Sequence, residues 1–183
     1  MSSSRIDSQA NLEKKSAAEL YDLIDKEHLP KHIAVIMDGN RRWAKKRFMP
    51  SAVGHKAGVE AFRTVMETCR NLGIKVLSAY AFSAENWQRS PAEVTLLMQL
   101  FEYYAKAERQ KMLDTGVRLR VIGDKSALHP SVCRELENSE KATAHNTDLL
   151  LNLAVNYGGR EEILQAARHL ANDNLYSHNY RKK

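Results

Sequence analysis

The chain has 183 residues, of which 43% are hydrophobic and 27% are charged, a composition typical of one soluble globular domain with its own core. No apolar run approaches the roughly 20 residues of a membrane span, and residues 1–11 lack the apolar stretch of a signal peptide. The formal charge of +6 favours anionic partners such as diphosphates, nucleic acid or acidic lipid headgroups, although surplus lysine is also common on solvated surfaces.

These features predict a cytoplasmic protein, with membrane association at its periphery left open. Cys69 and Cys133 fall inside predicted helices without a C-x-x-C spacing. This arrangement fits a reducing compartment without structural disulfides, in which both cysteines are packing residues.

Residues 1–29 form a polar N-terminal segment that is predicted to contain one short helix. Apolar residues at helical spacing share one side of residues 12–27, and Pro30 is expected to end this helix. Residues 30–183 are predicted to form the main domain.

From residue 33 onward, predicted strands alternate with predicted helices. In order, they are a strand over 33–37, a helix over 57–71, a strand over 76–82, a helix over 91–113, a strand over 117–122, a helix over 131–145, a strand over 149–155 and a helix over 160–172. This order predicts an α/β fold, with a Rossmann-like parallel sheet and right-handed crossover helices. No fifth strand is visible, so an outer strand of this small sheet is expected to be bare.

The first predicted strand leads into an acidic residue, a turn and two arginines. Asp38 stands at the end of the strand, Gly39 and Asn40 turn the chain, and Arg41 and Arg42 follow where a helix can begin. In open α/β sheets, ligands bind outside the carboxyl ends of the strands. A carboxylate suits a hard cation, while backbone N–H groups and guanidinium groups suit phosphate oxygens. The sequence therefore predicts a site for a magnesium-bound phosphate.

A second polar loop follows the second strand and is expected to open on the same crevice. Residues 83–89 offer a hydroxyl, a carboxylate, an amide, an indole and a guanidinium group. Asn86 can hold a water or a proton-bearing carbon by hydrogen bonding, and Arg89 can bind phosphate. The alternative is a capped loop, with Ser83 or Asn86 as a helix N-cap and Trp87 as a surface plug.

Two further segments contain glycines at predicted helix starts. Residues 54–58, Gly-His-Lys-Ala-Gly, are expected to open the first long helix, where free N–H groups attract anions. His55 would there donate to a phosphate or shuttle a proton, or else serve as a cap or packing group. Residues 157–160, Tyr-Gly-Gly-Arg, are a weak phosphate motif, since glycines also simply allow sharp turns.

Several motifs are missing from the sequence. There is no P-loop and no G-x-G-x-x-G after the first strand, which disfavours P-loop nucleotidases and dinucleotide enzymes. There is no zinc-type His or Cys spacing, no serine nucleophile elbow and no D-D-x-x-D acid pair of trans-prenyl synthases.

Four motifs, in order and at family-like spacing, closely resemble the cis-prenyltransferases, whose best-known member is undecaprenyl diphosphate synthase. The resemblance extends from about Pro30 to about Leu170. The motifs are HIAVIMDGNRRWAK at 32–45, GHKAG at 54–58, the segment 80–89 and NYGGRE at 156–161.

The resemblance implies a magnesium-dependent transferase of isoprenoid biosynthesis. Such an enzyme condenses isopentenyl diphosphate onto an allylic diphosphate, typically farnesyl diphosphate, and so builds a Z-polyprenyl diphosphate. It implies a homodimer, and it implies no nucleic-acid partner. Asp38 is the implied magnesium ligand that helps the allylic diphosphate leave, and Asn86 is implied to lie near the proton lost from the isopentenyl unit.

The resemblance also implies a set of substrate-binding residues around these two. The implied diphosphate cradle comprises Gly39, Asn40, Arg41 and Arg42, with Trp43 covering it and His55 contacting the allylic diphosphate. The implied loop over the site contains Ser83, Ala84 and Glu85, with Trp87 and Arg89 bordering the isopentenyl site. Ser51 stands where many relatives carry an arginine, so one diphosphate contact is expected to be lost or supplied by Arg47.

The growing prenyl chain needs an apolar tunnel. Candidate tunnel walls, by analogy, are Ala81, Leu97, Leu100, Phe101, Leu149 and Leu151. The alternative interpretation of all six residues is ordinary core.

The resemblance carries one further expectation about the end of the chain. Family members continue through an Arg-Thr-Gly-Gly-Glu-like motif and an interface helix, which bind isopentenyl diphosphate and build the homodimer. Neither is present in residues 161–183, so the chain is expected to be C-terminally incomplete and to lack most of the second substrate site. A shortened, non-catalytic prenyl-diphosphate-binding or accessory subunit is the alternative to an enzyme. A basic nucleic-acid binder is disfavoured because the arginines lie in turns.

Overall fold

The computed structural model describes residues 15–179, and the chain divides after Pro30 into two compact units. The N-terminal unit contains helix α1, Ala17–Asp22. Ser16 and Glu19 form a capping box, in which Glu19 N donates to Ser16 Oγ over 3.3 Å and Ser16 N donates to Glu19 Oε2 over 2.7 Å.

This helix is shorter than the sequence suggested. It ends at Asp22 rather than near Pro30, and part of the predicted range, residues 12–14, lies outside the described residues. None of its side chains is buried. A helix this short is marginally stable by itself, and without packing against other residues nothing stabilises further turns.

The main unit is built on a four-stranded parallel sheet of order β1-β2-β4-β3, which confirms the predicted α/β class. The strands are β1 His32–Ile36, β2 Val76–Ser83, β3 Val117–Ile122 and β4 Leu149–Tyr157. The predicted bounds are correct to within two residues. The predicted bounds of Val117–Ile122 agree with the structure.

Six helices and two short 3₁₀ segments connect or follow these strands. The helices are α2 Asn40–Lys45, α3 Ser51–Asn71, α4 Pro91–Ala107, α5 Arg109–Asp114, α6 Pro130–Ala142 and α7 Gly159–Asn179. The 3₁₀ segments are Ala84–Gln88 and Lys125–Ala127.

Four of the predicted helices differ from the structure in their bounds. The single helix expected over 91–113 is interrupted at Glu108, which ends α4 and begins α5, and whose carboxylate pairs with Arg63 of α3. The helix after β3 ends at Ala142, and the last helix continues past residue 172 to Asn179. Helix α3 begins six residues earlier than Ala57, and both Gly54 and Gly58 lie inside it.

The core lies on both faces of the two central strands. Leu77 and Phe82 of β2 and Leu149 and Val155 of β4 are almost completely buried. Cys69 is a buried free thiol, and Cys133 is half-buried and also free. No helix of the described residues is both long and apolar enough to cross a membrane.

The outer edge of β3, one of the two edge strands, is covered by side chains. Leu119 N donates to Thr143 Oγ1 over 3.0 Å, and Val121 N donates to Glu140 Oε1 over 2.7 Å. Asn146 Nδ2 donates to Val117 O over 2.8 Å. Side chains from α6 and the segment after it therefore satisfy the backbone groups that an edge strand leaves open.

Candidate functional site

A cavity of about 440 Å³ begins at the carboxyl ends of β1 and β2 and continues between α3, α4 and the sheet. One part of its wall is polar. These polar residues are Asp38, Gly39, Asn40, Arg41, Arg42, His55, Asn86 and Arg89. Along α3, the lining continues from His55 to Met66, a distance of about 16 Å at helical rise. The cavity thus joins a cationic mouth to a long interior.

The interior of the cavity is mainly apolar. Its lining includes Val59, Phe62, Met66, Leu97, Leu100, Phe101 and Leu151. Of the six candidate tunnel residues, five line this space. Leu149 does not, since its side chain is fully buried in the core.

The turn after β1 fixes the acidic residue in its ionised form. Gly39 has a φ of +87°, a left-handed conformation that favours glycine. Its N–H donates to Asp38 Oδ1 over 2.6 Å, and Arg42 Nη2 donates to Asp38 Oδ2 over 2.9 Å. The Gly39 hydrogen bond first, and then the Arg42 guanidinium, hold the pKa of the Asp38 carboxyl below its usual range.

Two glycines of α3 allow α2 to lie directly against it. A Cβ added at Gly54 would lie 2.1 Å from Asn40 O, and one added at Gly58 would lie 2.5 Å from the Asn40 side-chain amide. The Gly-His-Lys-Ala-Gly segment therefore does not open the helix as an anion-binding terminus. Because α3 begins at Ser51, His55 lies in its second turn.

One largely buried carboxylate, which no sequence pattern predicted as part of the site, contacts two arginines and His55. Glu93 is only 10% exposed, and its Oε1 accepts a hydrogen bond from Arg89 Nη1 over 2.9 Å. His55 Nε2 lies 3.5 Å from the same oxygen, and Arg41 Nη1 lies 3.6 Å from Oε2. The local pattern, Ser90-Pro91-Ala92-Glu93, is typical of a helix N-terminus, which is also where the structure places it.

His55 is a buried, neutral imidazole at the cavity wall. Burial lowers the pKa of His55, and the neighbouring Glu93 carboxylate opposes this effect only in part. The 3.5 Å separation from Glu93 is too long for a full hydrogen bond, so Nε2 has no hydrogen-bond partner among the described residues. A buried polar atom without a partner indicates that a ligand or a water forms the missing hydrogen bond.

The loop after β2 has the capped geometry that was the alternative interpretation. Ser83 is the N-cap of the 3₁₀ segment, and Ser83 N donates to Asn86 Oδ1 over 3.3 Å. Trp87 packs edge-on against Phe82 at a centroid distance of 5.2 Å. Asn86 and Arg89 nevertheless line the cavity, so the capped loop also presents two polar groups to it.

A residue at the end of β4, Asn156, holds this loop by side-chain hydrogen bonds. Trp87 Nε1 donates to Asn156 Oδ1 over 2.7 Å, and Asn156 Nδ2 donates to Asp124 O over 2.7 Å. Asn156 itself has a φ of +50°, a conformation that asparagine tolerates better than most residues. The NYGGRE motif thus contributes a structural link between three loops at this edge of the sheet.

Six of the predicted site residues do not line the cavity in this structure. They are Trp43, Ser51, Ser83, Ala84, Glu85 and Trp87. Trp43 instead lies under the Arg47 guanidinium, 4.2 Å from the ring centroid. Ser51 is the first residue of α3.

Asp38 is the residue at the mouth that can hold a cation. Among residues 15–179, no group of three or more His, Cys, Asp or Glu side chains forms a complete metal cage. Mg²⁺ is commonly bound by one or two carboxylates together with the phosphate oxygens of a ligand. A single ionised carboxylate beside an anion-binding mouth fits that mode of binding.

Comparisons with known proteins agree with this arrangement. The model of a family described as putative undecaprenyl diphosphate synthase matches residues 36–183. The (2E,6E)-farnesyl-diphosphate-specific ditrans,polycis-undecaprenyl-diphosphate synthase of Pseudomonas aeruginosa is 50% identical over 145 residues, covering 79% of this chain and 58% of that protein. An isoprenyl transferase of Clostridium tetani is 46% identical over 151 residues, covering 82% of this chain and 59% of that protein.

Solved structures show the same similarity. Lavandulyl diphosphate synthase from Lavandula x intermedia, in complex with dimethylallyl diphosphate, has a TM-score of 0.78 at 34% identity, over 81% of this chain and 64% of that one. A probable undecaprenyl diphosphate synthase from Campylobacter jejuni has a TM-score of 0.66 at 35% identity, over 79% and 62% of the two chains. The chain spans about three fifths of the length of the curated relatives it matches. On this evidence, the chain belongs to the undecaprenyl diphosphate synthase family of cis-prenyltransferases.

Proposed function

We propose that this chain binds an allylic diphosphate at the carboxyl ends of β1 and β2 and acts in cis-prenyl chain elongation with isopentenyl diphosphate. The observation that carries the proposal is the cavity, which joins a cationic mouth to an apolar interior. A prenyl diphosphate has the same division between an anionic head and an apolar chain. The names of the relatives, and the dimethylallyl diphosphate bound in the lavandulyl diphosphate synthase structure, support the same substrate class.

Chain elongation requires the allylic C–O bond to break while negative charge builds on the departing diphosphate. Arg41, Arg42 and Arg89 supply positive charge at the mouth where that diphosphate would lie. His55 can complete the hydrogen bonding of its buried Nε2 with a phosphate oxygen if the proton is on that nitrogen. The apolar interior keeps water away from the allylic cation.

The second substrate would approach from the loop after β2. The π electrons of isopentenyl diphosphate form the new C–C bond with the allylic cation, and a proton then leaves the isopentenyl unit. Asn86 is proposed to lie near that proton, and Arg89 near the isopentenyl diphosphate. Their position on the cavity wall supports these roles.

Mg²⁺ is the proposed cofactor, held by Asp38 and by phosphate oxygens of the substrate, where it would supply further charge neutralisation of the leaving group. We infer in addition a cytoplasmic protein that associates as a homodimer and contacts membranes at its periphery. Intact Asp38, Arg42 and Asn86 at the cavity favour an enzyme over a non-catalytic accessory subunit.

Calorimetric titration with farnesyl thiodiphosphate, which resists ionisation, tests the binding half of the proposal. Arg42→Gln should weaken binding about tenfold or more, because a charged hydrogen bond to the diphosphate is lost. Arg134→Gln is the matched control, since it removes the same charge from an exposed position of α6. Absence of binding to the unaltered chain, or equal binding by both variants, would contradict the proposed site.

Turnover is tested separately with labelled isopentenyl diphosphate, farnesyl diphosphate and Mg²⁺. Asp38→Ala, made at the matching position of a full-length relative, should abolish chain elongation while circular dichroism shows an intact fold. Retained elongation would exclude the proposed role of Asp38. The same assay on the present chain shows whether it elongates by itself.

A further inference from the structure

We propose that the turn between α2 and α3, residues 45–49, is a membrane-contact turn that binds the surface of an anionic lipid bilayer. The inference does not rest on the proposed enzymatic activity. It stands on three observations: an apolar tip, a backbone that holds this tip outward at a conformational cost, and an uninterrupted run of basic side chains that have no carboxylate partner among the described residues.

The apolar tip consists of Phe48 and Met49. Phe48 is 99% exposed and Met49 is 44% exposed. Single apolar side chains are common on protein surfaces. A phenylalanine that makes almost no contact with its own chain, next to an exposed methionine, is a stronger signal of an outside partner.

The backbone shows that this exposure is built into the turn. Phe48 N donates to Lys45 O over 3.1 Å and Met49 N donates to Ala44 O over 3.0 Å, so the turn is hydrogen-bonded. Phe48 has a φ of +55°, a left-handed conformation that is unfavourable for a bulky side chain and easy for glycine. The strained backbone at Phe48 therefore holds an aromatic ring in solvent. A strained, exposed residue of this kind indicates a function outside the fold.

The positive charge around the apolar tip favours an anionic partner. Lys45, Lys46 and Arg47 are consecutive and exposed. No carboxylate of the described residues lies within 4.0 Å of any of the three, so their charge is available to an anionic surface. Basic side chains around an apolar tip match a bilayer in chemistry and geometry, since the ring enters the interface while the cations meet anionic headgroups.

The position of the turn brings the membrane close to the cavity. Helix α2 has six residues, so about 9 Å along its axis separates the turn from the Gly39 end, which lines the mouth. A protein held by residues 45–49 would therefore keep its cationic mouth near the headgroup layer.

Vesicle flotation of the 183-residue chain tests the proposal directly. The chain should float with phosphatidylcholine vesicles that contain 30% phosphatidylglycerol and not with pure phosphatidylcholine, and added salt should release it. Phe48→Gly should lower binding about tenfold, because the inserted ring is lost. Lys45→Gln and Lys46→Gln should each lower it by about fivefold.

Thermal unfolding of the same variants separates lost contact from lost fold. Glycine adopts the left-handed conformation freely, so Phe48→Gly should raise Tm while it weakens binding. Tyr103→Ala, which removes another exposed aromatic side chain, is the matched control and should bind like the unaltered chain.

Three results would overturn the proposal. They are unchanged flotation of Phe48→Gly, equal binding to neutral and anionic vesicles, and an equal loss of binding in Tyr103→Ala. Binding of an acidic protein or nucleic acid without flotation would assign the turn to a different partner and also overturn it. No prenyl diphosphate is present in the assay, so its result does not depend on the proposed substrate binding or turnover.

Discussion

At the scale of single residues, Glu93 links the two polar loops of the site. It contacts Arg41 of α2, His55 of α3 and Arg89 from the loop after β2. A diphosphate entering the mouth would compete with Glu93 for the two arginines and for His55. The carboxylate therefore holds these side chains in place before a ligand arrives.

Glu93→Gln should lower the pKa of His55 further, because the neighbouring negative charge that opposes the effect of burial is removed. Proton NMR of the imidazole during a pH titration measures this change. Glu102→Gln, on the same helix and hydrogen-bonded instead to Ser131, is the control and should leave the His55 titration where it was. An unchanged His55 titration in Glu93→Gln would mean that the two groups do not interact.

His55 also gives a pH dependence of stability with a defined sign. Burial lowers its pKa below the ordinary 6.5, so between the folded pKa and about 6.5 the unfolded chain binds a proton that the folded chain does not. This part of the free energy of unfolding is present above about pH 6.5 and is lost as the pH falls toward the folded pKa.

His55→Gln should therefore flatten the pH dependence of stability, as measured by urea midpoints at pH 7.5 and 5.5. His145→Gln, at an exposed position, serves as the control. If the unaltered chain and His55→Gln lose the same stability between the two pH values, burial of His55 does not produce the dependence.

At the scale of elements, the contact between α2 and α3 positions the mouth of the cavity. Gly54→Ala should destabilise the chain by about 1–3 kcal/mol, as overpacking does, because the new Cβ has no space beside Asn40 O. The displacement of α2 should also weaken binding of farnesyl thiodiphosphate. Urea unfolding and calorimetry measure the two effects.

Gly159→Ala is the control for this prediction. No atom lies within 4 Å of the added Cβ, and the residue opens α7, so stability should change little. Equal stability of Gly54→Ala and the unaltered chain would show that α2 is free to move away from α3.

The same contact explains where sequence reasoning fails. Local runs of apolar residues were sufficient to find the strands, since each strand carries its pattern within its own segment. Glycines at 54 and 58 suggested the start of a helix, yet they lie inside it, where Asn40 of another element packs on them. Glu93 was missed for a related reason: its local pattern describes a helix cap, while its partners come from α2 and α3. Contacts of this kind join segments that are distant in sequence, so a local sequence pattern does not predict them.

At the scale of the whole molecule, the cavity leads from charged groups at its mouth to a mainly apolar interior, whose lining also includes the Arg63–Glu108 ion pair. Ala105 lines this path and is nearly buried, well beyond the mouth. Ala105→Phe should shorten the available space, so it should weaken binding of geranylgeranyl diphosphate more than that of dimethylallyl diphosphate. Competition against farnesyl thiodiphosphate measures both affinities.

Ala107→Phe, at an exposed position of the same helix, is the control and should change neither affinity. Equal weakening of the long and the short ligand by Ala105→Phe would mean that the prenyl chain does not occupy this part of the cavity.

The side chain of Asn156 has a consequence for how the site moves. It accepts a hydrogen bond from Trp87 and donates one to the backbone after β3, so it is shared between two loops. Lifting the loop after β2 away from the sheet would break the indole hydrogen bond at the same moment. If this loop lifts when a ligand enters, the surroundings of Trp87 would change in the same step, and its indole fluorescence would report that movement.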